Sequence, residues 1–520
     1  MHVVDNDEAC AVPEPGSLEH RSPWQEKTRA PAWTDILFVC SYWRSYAYDF
    51  PFLWTRIEPS SDRWMEDCIR ISRDLPLRVK IAEAAMEDLG GLALLVVYLT
   101  SKHMHRMREL SIVPSWEFGD AQLLLRFCSD VAAPELEVLT LDQEDTLIIP
   151  GRYEDHLAKI FKGDAPKLRK LCARAPSLQF RMQATIFCAL THLDISYHYL
   201  WRAERMEDLI MCIETWVQLR TLILKWSLPR DLDFMARPES FPPWRTIPMP
   251  YLQQLNITDT VTYADYFMSH IILPPLVTLT LDCGSDLAHT NDPQRAIAAF
   301  GSILRRIPIE TTSRIARVHW NCQANDFSLR GFVGGPATEY TNDSEDFPSD
   351  FTLHMWTLQP HNYADTGLTE VIWNSLYLPN LDGLWLTLYD GLFRESWASI
   401  LGPMKELRAV KVDGPYEHRM DELFFALSFH EIQNEKRPIL PRLQSLYLKQ
   451  PFLSAVTWEY LLDMLRTRWS CCAPELNLLV RTNKASSAHI EGSLGYELEN
   501  FTYRFELAEY LEDPLLRSSP

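Results

Sequence analysis

The sequence predicts an α/β fold in which strands alternate with helices, the strands form a parallel sheet, and a small helical segment comes first. Three observations support this fold class. A short aliphatic phrase, L-x-x-L-x-L, recurs along most of the chain. Segments with helical periodicity, such as residues 203–212 and 458–466, lie between its copies. Because a helix that links two strands carries the chain back to the end of the sheet where the first strand began, the strands are expected to run parallel.

Each copy of this leucine phrase predicts one strand. The alternation x-L-x-L places two aliphatic side chains on one face of the strand, and the first leucine packs under the turn that leads into it. A single unit cannot bury its apolar face alone, so neighbouring units must stack around a shared core. The clear copies are Leu136, Leu139, Leu141; Leu190, Leu193, Ile195; Leu219, Leu222, Leu224; Leu252, Leu255, Ile257; Leu276, Leu279, Leu281; Leu381, Leu384, Leu386; Leu407, Val410, Val412; and Leu443, Leu446, Leu448, and the weaker copies are Met107, Leu110, Ile112 and Ile315, Val318, Trp320.

The spacing of the copies indicates an irregular array. Most neighbouring copies are roughly 24 to 39 residues apart, which is wider than in regular leucine-rich repeats. The pattern therefore resembles an irregular leucine-rich-repeat-like solenoid, which we place at residues 114–480. The widest gap holds residues 325–350, where Gly, Pro and acidic residues cluster. This composition predicts a surface loop or mobile insertion.

The remaining parts of the chain are divided by composition. Residues 1–30 are rich in Pro, Glu, Ser and Arg and have few aliphatic anchors, which predicts a disordered leader. Residues 31–58 are expected to form a compact helical segment, and residues 59–113 a helical linker that leads into the first copy of the phrase. Residues 481–520 form a C-terminal segment with a disordered end.

The helical segment has an amphipathic pattern that ends at a proline. Pro51 ends the predicted helix, because a proline disfavours helical backbone at the residue before it. Leu53 and Trp54 then supply an apolar plug, and we interpret Trp54 and Trp64 as core residues because indole side chains bury large areas. The residues on one helical face, with two that flank it, are Ile36, Cys40, Trp43 and Ala47, with Val39 and Tyr46.

Two phrases in this segment resemble the F-box proteins that are abundant in mushroom-forming fungi. The first is V-C-x-x-W-R-x-x-A at residues 39–47, and the second is P-x-L-W-x-x-I at residues 51–57. Trp64 and the pair Pro76-Leu77 follow in the family's order, so the resemblance covers about residues 33–113. It implies an adaptor of a Skp–cullin–F-box ubiquitin ligase, which does no covalent chemistry itself. The residues implied to bind the Skp-type adaptor are Ile36, Val39, Cys40, Trp43, Arg44, Leu53 and Trp54.

The family's first helix, which begins L-P-x-E, has no clear counterpart. The nearest candidate, residues 12–16, reads V-P-E-P-G and places Pro and Gly where a helix would have to continue. Two explanations stay open: the F-box has become a structural cap of the array, or the N-terminus is incomplete. The competing hypothesis to a ligase adaptor is therefore a ligase-independent scaffold whose F-box-like segment only caps the core.

Composition excludes several other classes of function. The net charge of −20 repels phosphate backbones, so no nucleic-acid partner is expected. The strongest apolar run, residues 92–99, is too short to span a membrane. The 11 cysteines have no regular spacing, which is typical of reduced thiols in the cytoplasm or nucleus. The sequence contains none of the common catalytic, metal or phosphate-binding motifs, so we expect a non-enzymatic protein without metal or cofactor.

The client of such an array is expected to bind on the sheet. Strand residues between the buried leucines point away from the core, and a phase error of one residue would turn each of them inward. The client itself is an unknown protein. The predicted client contacts are Asn256, Thr258, Thr278, Thr280, Trp385, Thr387 and Tyr447.

Overall fold

The protein is a mixed α/β structure around one large, mostly parallel sheet, as the strand and helix alternation predicts. The leader at residues 1–30 and residues 483–501 and 510–520 of the predicted C-terminal segment lie outside the described residues. The computed structural model describes residues 32–58, 62–82, 98–99, 101–113, 128, 131–142, 157–174, 186–196, 206–229, 245–284, 293–323, 326–333, 349, 351–356, 368–388, 394–413, 420–428, 430–432, 435–449, 455–471, 476–482 and 502–509.

Strands of the large sheet that follow one another in the chain are also neighbours in the sheet, except β11 with β12 and β14 with β15. Two short pairs, β8 with β10 and β17 with β18, lie outside it. The strands are β1 (Arg56–Ile57), β2 (Leu77–Ala82), β3 (Met107–Val113), β4 (Val138–Asp142), β5 (Lys170–Arg174), β6 (His192–Ser196), β7 (Thr221–Lys225), β8 (Ile247–Pro248), β9 (Gln254–Thr260), β10 (Ile271–Ile272), β11 (Thr278–Gly284), β12 (Ile315–Gln323), β13 (Asp326–Val333), β14 (Phe351–Trp356), β15 (Gly383–Leu388), β16 (Ala409–Asp413), β17 (His430–Ile432), β18 (Glu435–Arg437), β19 (Ser445–Lys449), β20 (Leu476–Thr482) and β21 (Thr502–Glu509).

Helices connect many of these strands and share their core. Of the two segments predicted from periodicity, the second lies in α11, and residues 206–212 of the first lie in α4; in α11 the side chains of Trp458, Leu461 and Leu465 are buried at helical spacing. The α-helices are α1 (Ile36–Val39), α2 (Ser41–Tyr48), α3 (Asp62–Ile71), α4 (Met206–Thr215), α5 (Val261–Ser269), α6 (Pro293–Arg305), α7 (Ile309–Thr312), α8 (Leu368–Ser375), α9 (Arg394–Leu401), α10 (Met420–Ser428) and α11 (Ala455–Ser470), and the 3-10 helices are Ala32–Asp35, Pro51–Thr55, Met104–Arg106 and Leu157–Gly163.

Two apolar rows cross the large sheet. The first runs from β1 to β21, and the second runs from β2 to β21. The strand register aligns the aliphatic positions of successive leucine phrases, and a fully buried leucine stabilises the fold by roughly 1.5–3 kcal/mol before entropy is counted. The first row is Ile57, Val79, Leu110, Leu139, Leu171, Leu193, Leu222, Leu255, Leu279, Phe351, Gly331, Val318, Leu384, Val410, Leu446, Leu478 and Phe505. The second row is Ile81, Ile112, Leu141, Ala173, Ile195, Leu224, Ile257, Leu281, Leu353, Leu329, Trp320, Leu386, Val412, Leu448, Val480 and Leu507.

The first leucine of the phrase closes the turn before its strand. At Leu136, Leu219 and Leu407 the backbone N–H donates to the carbonyl three residues earlier, over 3.0–3.1 Å. The residue that accepts this hydrogen bond is itself apolar and buried, as at Trp216 and Met404. The repeating unit therefore includes one more apolar position than the phrase used to find it.

At one copy the predicted first position is wrong. Leu276 is 61% exposed, and the next residue, Val277, is buried in its place. The prolines at positions 274 and 275 fix the backbone of this turn, which differs from the turns of the other units.

The order of the strands is reversed between β11 and β15. β14 pairs with β11, β12 pairs with β15, and β13 lies between β12 and β14, antiparallel to both. The prediction of a surface loop at residues 325–350 is therefore wrong for Asp326–Val333, which forms a strand inside the sheet. Its alternating residues Phe327 and Leu329 are buried, and this alternation is the signal that the loop-like composition obscured. The part at residues 334–348 lies outside the described residues.

Six further strands of the large sheet have no copy in the predicted set: β1, β2, β5, β14, β20 and β21. The strand β2 lies where a helical linker was expected, although α3 confirms a helix in that linker. In β5 the third position of the phrase is Ala173, whose small side chain hides the pattern. The strands β20 and β21 extend the sheet into the predicted C-terminal segment.

Gly331 is required by close packing in the reversed part of the sheet. It holds a position in the first apolar row, and a Cβ atom there would lie 2.9 Å from Cδ1 of Ile315. We expect Gly331→Ala to lower the free energy of unfolding by about 1–3 kcal/mol through overpacking. Urea denaturation checks this value. In an Ile315→Val background the cost should be smaller, because the nearest atom is gone; an equal cost in both backgrounds would contradict this explanation.

Arg106, the residue directly before β3, binds the backbone at the end of α3 and in the turn after that helix. Its buried guanidinium donates to the carbonyls of Ile69 (3.3 Å), Arg73 and Leu75 (3.2 Å) and to the Ser72 hydroxyl. We expect Arg106→Met to lower the free energy of unfolding by about 2–4 kcal/mol, because several buried carbonyls lose their donor.

The matched control for Arg106 is Arg108, whose half-exposed side chain pairs with Glu137 at 2.9 Å. Arg108→Met should cost less than about 1 kcal/mol, as exposed ion pairs usually do. Equal losses in the two variants, measured by urea denaturation with tryptophan fluorescence, would show that Arg106 has no special role in holding this turn.

Candidate functional site

Three tryptophans hold the N-terminal helices together. The ring centroids of Trp33, Trp54 and Trp64 lie 5.2–6.0 Å apart, and Nε1 of Trp54 donates to the Ala47 carbonyl over 2.8 Å. Nε of Arg44 donates to the carbonyl of Leu37, also over 2.8 Å, and so ties α2 to α1. Aromatic packing and these two hydrogen bonds link the helices between residues 32 and 71.

The predicted single helix is interrupted at Cys40. This residue is extended (φ −162°, ψ 171°) and its Sγ accepts a hydrogen bond from the Trp43 backbone N–H as the cap of α2. The predicted end at the proline is confirmed, since Phe50 leaves the helical region (φ −111°, ψ 82°) before the 3-10 helix Pro51–Thr55 begins.

The predicted adaptor-binding residues separate into an exposed and a packed group. Ile36 and Leu53 pack partly against the core, and Trp54 is fully buried, so its place among contact residues is corrected to a core position. Its apolar ring fills the centre of the tryptophan cluster. The exposed members are Val39, Cys40, Trp43 and Arg44.

Sequence reasoning missed most of the exposed aromatic residues beside them. Phe38, for example, is 80% exposed, and the rings of Tyr46 and Phe50 stack at 5.8 Å on the surface. The available signal was the composition of α2, whose aromatic residues occupy more of its circumference than one buried face can cover. We define the aromatic surface as Phe38, Val39, Tyr42, Trp43, Tyr46, Phe50 and Phe52.

The second candidate region is the outer face of the sheet, opposite the two apolar rows. All seven predicted client residues lie on this face, so the predicted phase of the strands is correct. Tyr447 is nevertheless buried, because neighbouring side chains of the outer face cover it.

The middle of the outer face is neutral and rich in hydroxyl groups. Asn256, Thr280 and Thr352 are direct neighbours on β9, β11 and β14, and Thr258 and Thr278 lie beside them. We call these five residues the threonine patch. Their side chains offer hydrogen-bond donors and acceptors without charge.

A ladder of aromatic and basic side chains follows on the next strands. The rings of His319 and Trp385 stack at 4.1 Å, and Nζ of Lys411 lies 3.8 Å from the Trp385 ring centroid and 5.1 Å from that of Tyr447. Nε2 of His319 and Oγ1 of Thr387 are hydrogen-bonded at 2.9 Å. Lys411 is only 2% exposed, although a lysine on a sheet surface would be expected in solvent. We call His319, Trp385, Lys411 and Tyr447 the ladder.

The strands before the threonine patch carry a paired ionic network instead. Arg174 contacts Asp194 at 3.0 Å and Asp142 at 3.3 Å, and the Ser196 hydroxyl donates to the other Asp194 oxygen over 2.9 Å. In this part of the outer face, two carboxylates therefore share one guanidinium.

Two amide oxygens of the outer face are left without partners. Within the part of the chain that the structure describes, Oδ1 of Asn256 and Oδ1 of Asn321 are buried and accept no hydrogen bond. An unpaired buried acceptor costs about 1–3 kcal/mol.

The comparisons with known proteins add no family to this picture. The chain matches no protein-family model, and a search of curated proteins finds no significant match. Among the described residues, no group of three or more His, Cys, Asp or Glu side chains could hold a metal ion. In the same residues, no helix has both the length and the apolar character to cross a bilayer.

His319 should make stability depend on pH. Burial, with the charges of Arg330 and Lys411, lowers the pKa of this imidazole from 6.5 to about 4. Between these pH values the unfolded chain binds the proton and the folded protein does not, so stability should fall as the pH drops from about 6.5 to about 4. The measurement is the urea midpoint of the wild type and of His319→Gln at about pH 7, where the imidazole is mostly neutral in both states, and at about pH 5, between the two pKa values. Parallel curves for the two proteins would contradict the assignment.

Proposed function

We propose that this chain is a non-enzymatic recognition subunit: its aromatic surface binds a Skp-type adaptor of a cullin-based ubiquitin ligase, and the outer face of its sheet holds a protein client. The observation that carries the proposal is the aromatic surface, seven large apolar side chains that are each exposed within residues 38–52. The ring of Phe50 lies 5.8 Å from that of Tyr46 and 6.4 Å from that of Phe52, and large exposed apolar groups that lie close together mark protein interfaces.

The chemistry of the aromatic surface fits a partner interface. Aromatic side chains dominate the binding energy of many interfaces, and Trp and Tyr are the commonest hot-spot residues together with Arg. Because the tryptophan cluster fixes the backbone below the surface, little conformational entropy is lost when a partner binds. Val39 and Trp43, which carry the resemblance to F-box proteins, are both part of this surface.

The sheet supports the second half of the proposal. Strands that follow one another in sequence and space, separated by helices, are the arrangement of a leucine-rich-repeat-like solenoid, and we propose this architecture for the array. Solenoids of this kind bind partners along their sheet face.

A second candidate function is a ligase-independent scaffold whose N-terminal helices cap the array. It is supported by the pairing of β1 with β2, which places Ile57 in the first apolar row next to Val79. The helical segment thus covers the first edge of the sheet, as a terminal cap does in repeat proteins.

Coprecipitation with a Skp-type adaptor tests the main proposal. We expect the wild type to enrich the adaptor and Trp43→Ala to lose at least about tenfold in affinity, which corresponds to about 1.4 kcal/mol. Trp43 is 51% exposed, so its replacement should leave the urea midpoint almost unchanged.

The matched control is Trp469→Ala on α11, where the tryptophan is 54% exposed. This variant should bind the adaptor as the wild type does. If Trp43→Ala loses stability while adaptor association stays the same, the scaffold function is favoured. If the wild type does not enrich the adaptor at all, the ligase proposal is wrong.

A further inference from the structure

A group of basic side chains lies where three neighbouring strands begin on the outer face. Lys170 on β5 and His192 on β6 are register neighbours, and Arg220 directly precedes Thr221, the neighbour of His192 on β7. All three basic side chains are exposed. Because adjacent strands are about 4.8 Å apart, these groups lie close together. We call Lys170, His192 and Arg220 the basic cluster.

The carboxylates on the same strands do not neutralise the basic cluster. Within the described residues, the side chains of Lys170 and Arg220 make no ion pair and no hydrogen bond. Asp194, two residues after His192, is only 7% exposed and contacts Arg174 at 3.0 Å. The permanent charges of Lys170 and Arg220 therefore face solvent, on a chain whose net charge is −20.

The row that contains the basic cluster holds one carboxylate, which already has a partner. That carboxylate is Glu109, and Nε of Arg78 lies 3.4 Å from it. Glu137, directly before β4, likewise contacts Arg108 at 2.9 Å. From β5 to β11 the row has no acidic side chain. The complete row is Arg56, Arg78, Glu109, Val138, Lys170, His192, Thr221, Gln254 and Thr278.

The hydrogen bonds of His192 fix the nitrogen that can gain a proton. Oγ1 of Thr191 lies 2.8 Å from Nδ1 of His192 and donates to the carbonyl of Arg169 over 3.2 Å. Since a hydroxyl has one proton to donate, Nδ1 of the neutral ring is the donor to Thr191, and Nε2 is the free base. Burial, with the charges of Lys170 and Arg220, lowers the pKa of His192 from 6.5. An anion bound at the cluster would offset these charges and favour the protonated ring.

Exposed apolar side chains lie on the turns beside the basic cluster. Val217, three residues before Arg220, is 58% exposed, and Tyr251 in the turn before β9 is 55% exposed. The two turns are adjacent, because the N–H of Gln253 donates to the carbonyl of Arg220 over 2.7 Å. A partner that brings carboxylates to the cluster therefore meets apolar groups at the same edge of the sheet.

We infer that the basic cluster, with Val217 and Tyr251 beside it, docks a segment of the protein client in which carboxylates alternate with apolar side chains. This inference rests on the proposed function of the outer face as the client surface. Charge complementarity identifies the occupant: client carboxylates pair with Lys170 and with Arg220, whose planar guanidinium suits a carboxylate. The apolar neighbours favour a peptide over a phosphate backbone, because they contact apolar side chains that a phosphate backbone lacks.

The test uses the full chain and a labelled peptide of about ten residues in which Glu alternates with Leu. Fluorescence anisotropy at about 50 mM salt keeps the electrostatic contribution large. We expect this peptide to bind, and Arg220→Gln to weaken binding at least about fivefold. Arg220→Lys should keep most of the affinity because it preserves the charge. A folded chain of this net charge has no general reason to bind a polyanion, so binding of the peptide is informative.

A second peptide, in which Glu alternates with Ser, tests the apolar contacts. It should bind at least about threefold more weakly than the Glu–Leu peptide. Tyr251→Ala should remove most of this difference and leave binding of the Glu–Ser peptide unchanged. Equal affinity of the two peptides for the wild type would overturn the assignment of Val217 and Tyr251 to the site.

The pH dependence of binding tests His192. Affinity for the Glu–Leu peptide should rise at least about threefold between about pH 7.5 and about pH 6, where glutamate side chains stay ionised and His192 gains its proton. His192→Gln should abolish this rise. A rise of the same size in His192→Gln would overturn the part assigned to this residue.

Arg314→Gln is the control for the loss of charge. Arg314 is exposed directly before β12 and, among the described residues, makes no ion pair, so the variant has the same net charge as Arg220→Gln. It should bind the Glu–Leu peptide as the wild type does. An equal loss in Arg314→Gln, no loss in Arg220→Gln, or no binding at all would overturn the inference. Tighter binding of a single-stranded oligonucleotide, also lost in Arg220→Gln, would overturn it in favour of a nucleic-acid site.

The adaptor experiment separates this inference from the proposed function. Arg220→Gln should coprecipitate the Skp-type adaptor like the wild type, since the aromatic surface precedes β1. Adaptor binding without peptide binding would overturn the acidic-segment inference alone. Peptide binding that depends on Arg220, in a chain that does not bind the adaptor, would support the inference and contradict the ligase proposal.

Discussion

The hydrogen-bonded register between neighbouring strands is the constraint on which the rest of this structure depends. It aligns the leucine phrases so that two apolar rows run through a sheet of 17 strands. Since the side chains of a strand alternate between faces, a slip of one residue would expose a row of leucines and bury the polar side chains between them. The register that builds the core thus also fixes which residues, from Asn256 to Tyr447, form the outer face.

At the reversed strands the apolar rows stay continuous, although the order of these strands in the sheet differs from their order in the chain. At β12 to β14 the chain turns back on itself, yet Phe351 and Val318 still continue the first apolar row. The only member without a side chain is Gly331, and Ile315 fills the space beside it. The reversal also has a consequence on the other face, because it places Arg330 between the threonine patch and the ladder.

The sequence predicts the regular units well because two buried leucines per strand leave a clear alternation. The prediction fails where other side chains occupy the leucine positions: Ala173 takes the place of a leucine in β5, and Val277 is buried instead of Leu276 at the prolines. The outer face was placed correctly from the same alternation. Lys411 was not recognised, because only the neighbouring strands show that two aromatic rings enclose it. The aromatic surface was largely missed because apolar side chains are normally expected in the core of a protein.

The two proposed surfaces are far apart, and the sheet sets their separation. The aromatic surface precedes β1, whereas the ladder begins at His319 on β12, eleven strand spacings from β1 in the sheet. At roughly 4.8 Å per spacing this is on the order of 50–60 Å measured along the sheet. A client at the ladder therefore does not compete with a partner at the aromatic surface. Because each strand is bonded to both neighbours, the distance is maintained by the same register that forms the core, and an adaptor built this way holds its client at a fixed place relative to the partner that it recruits.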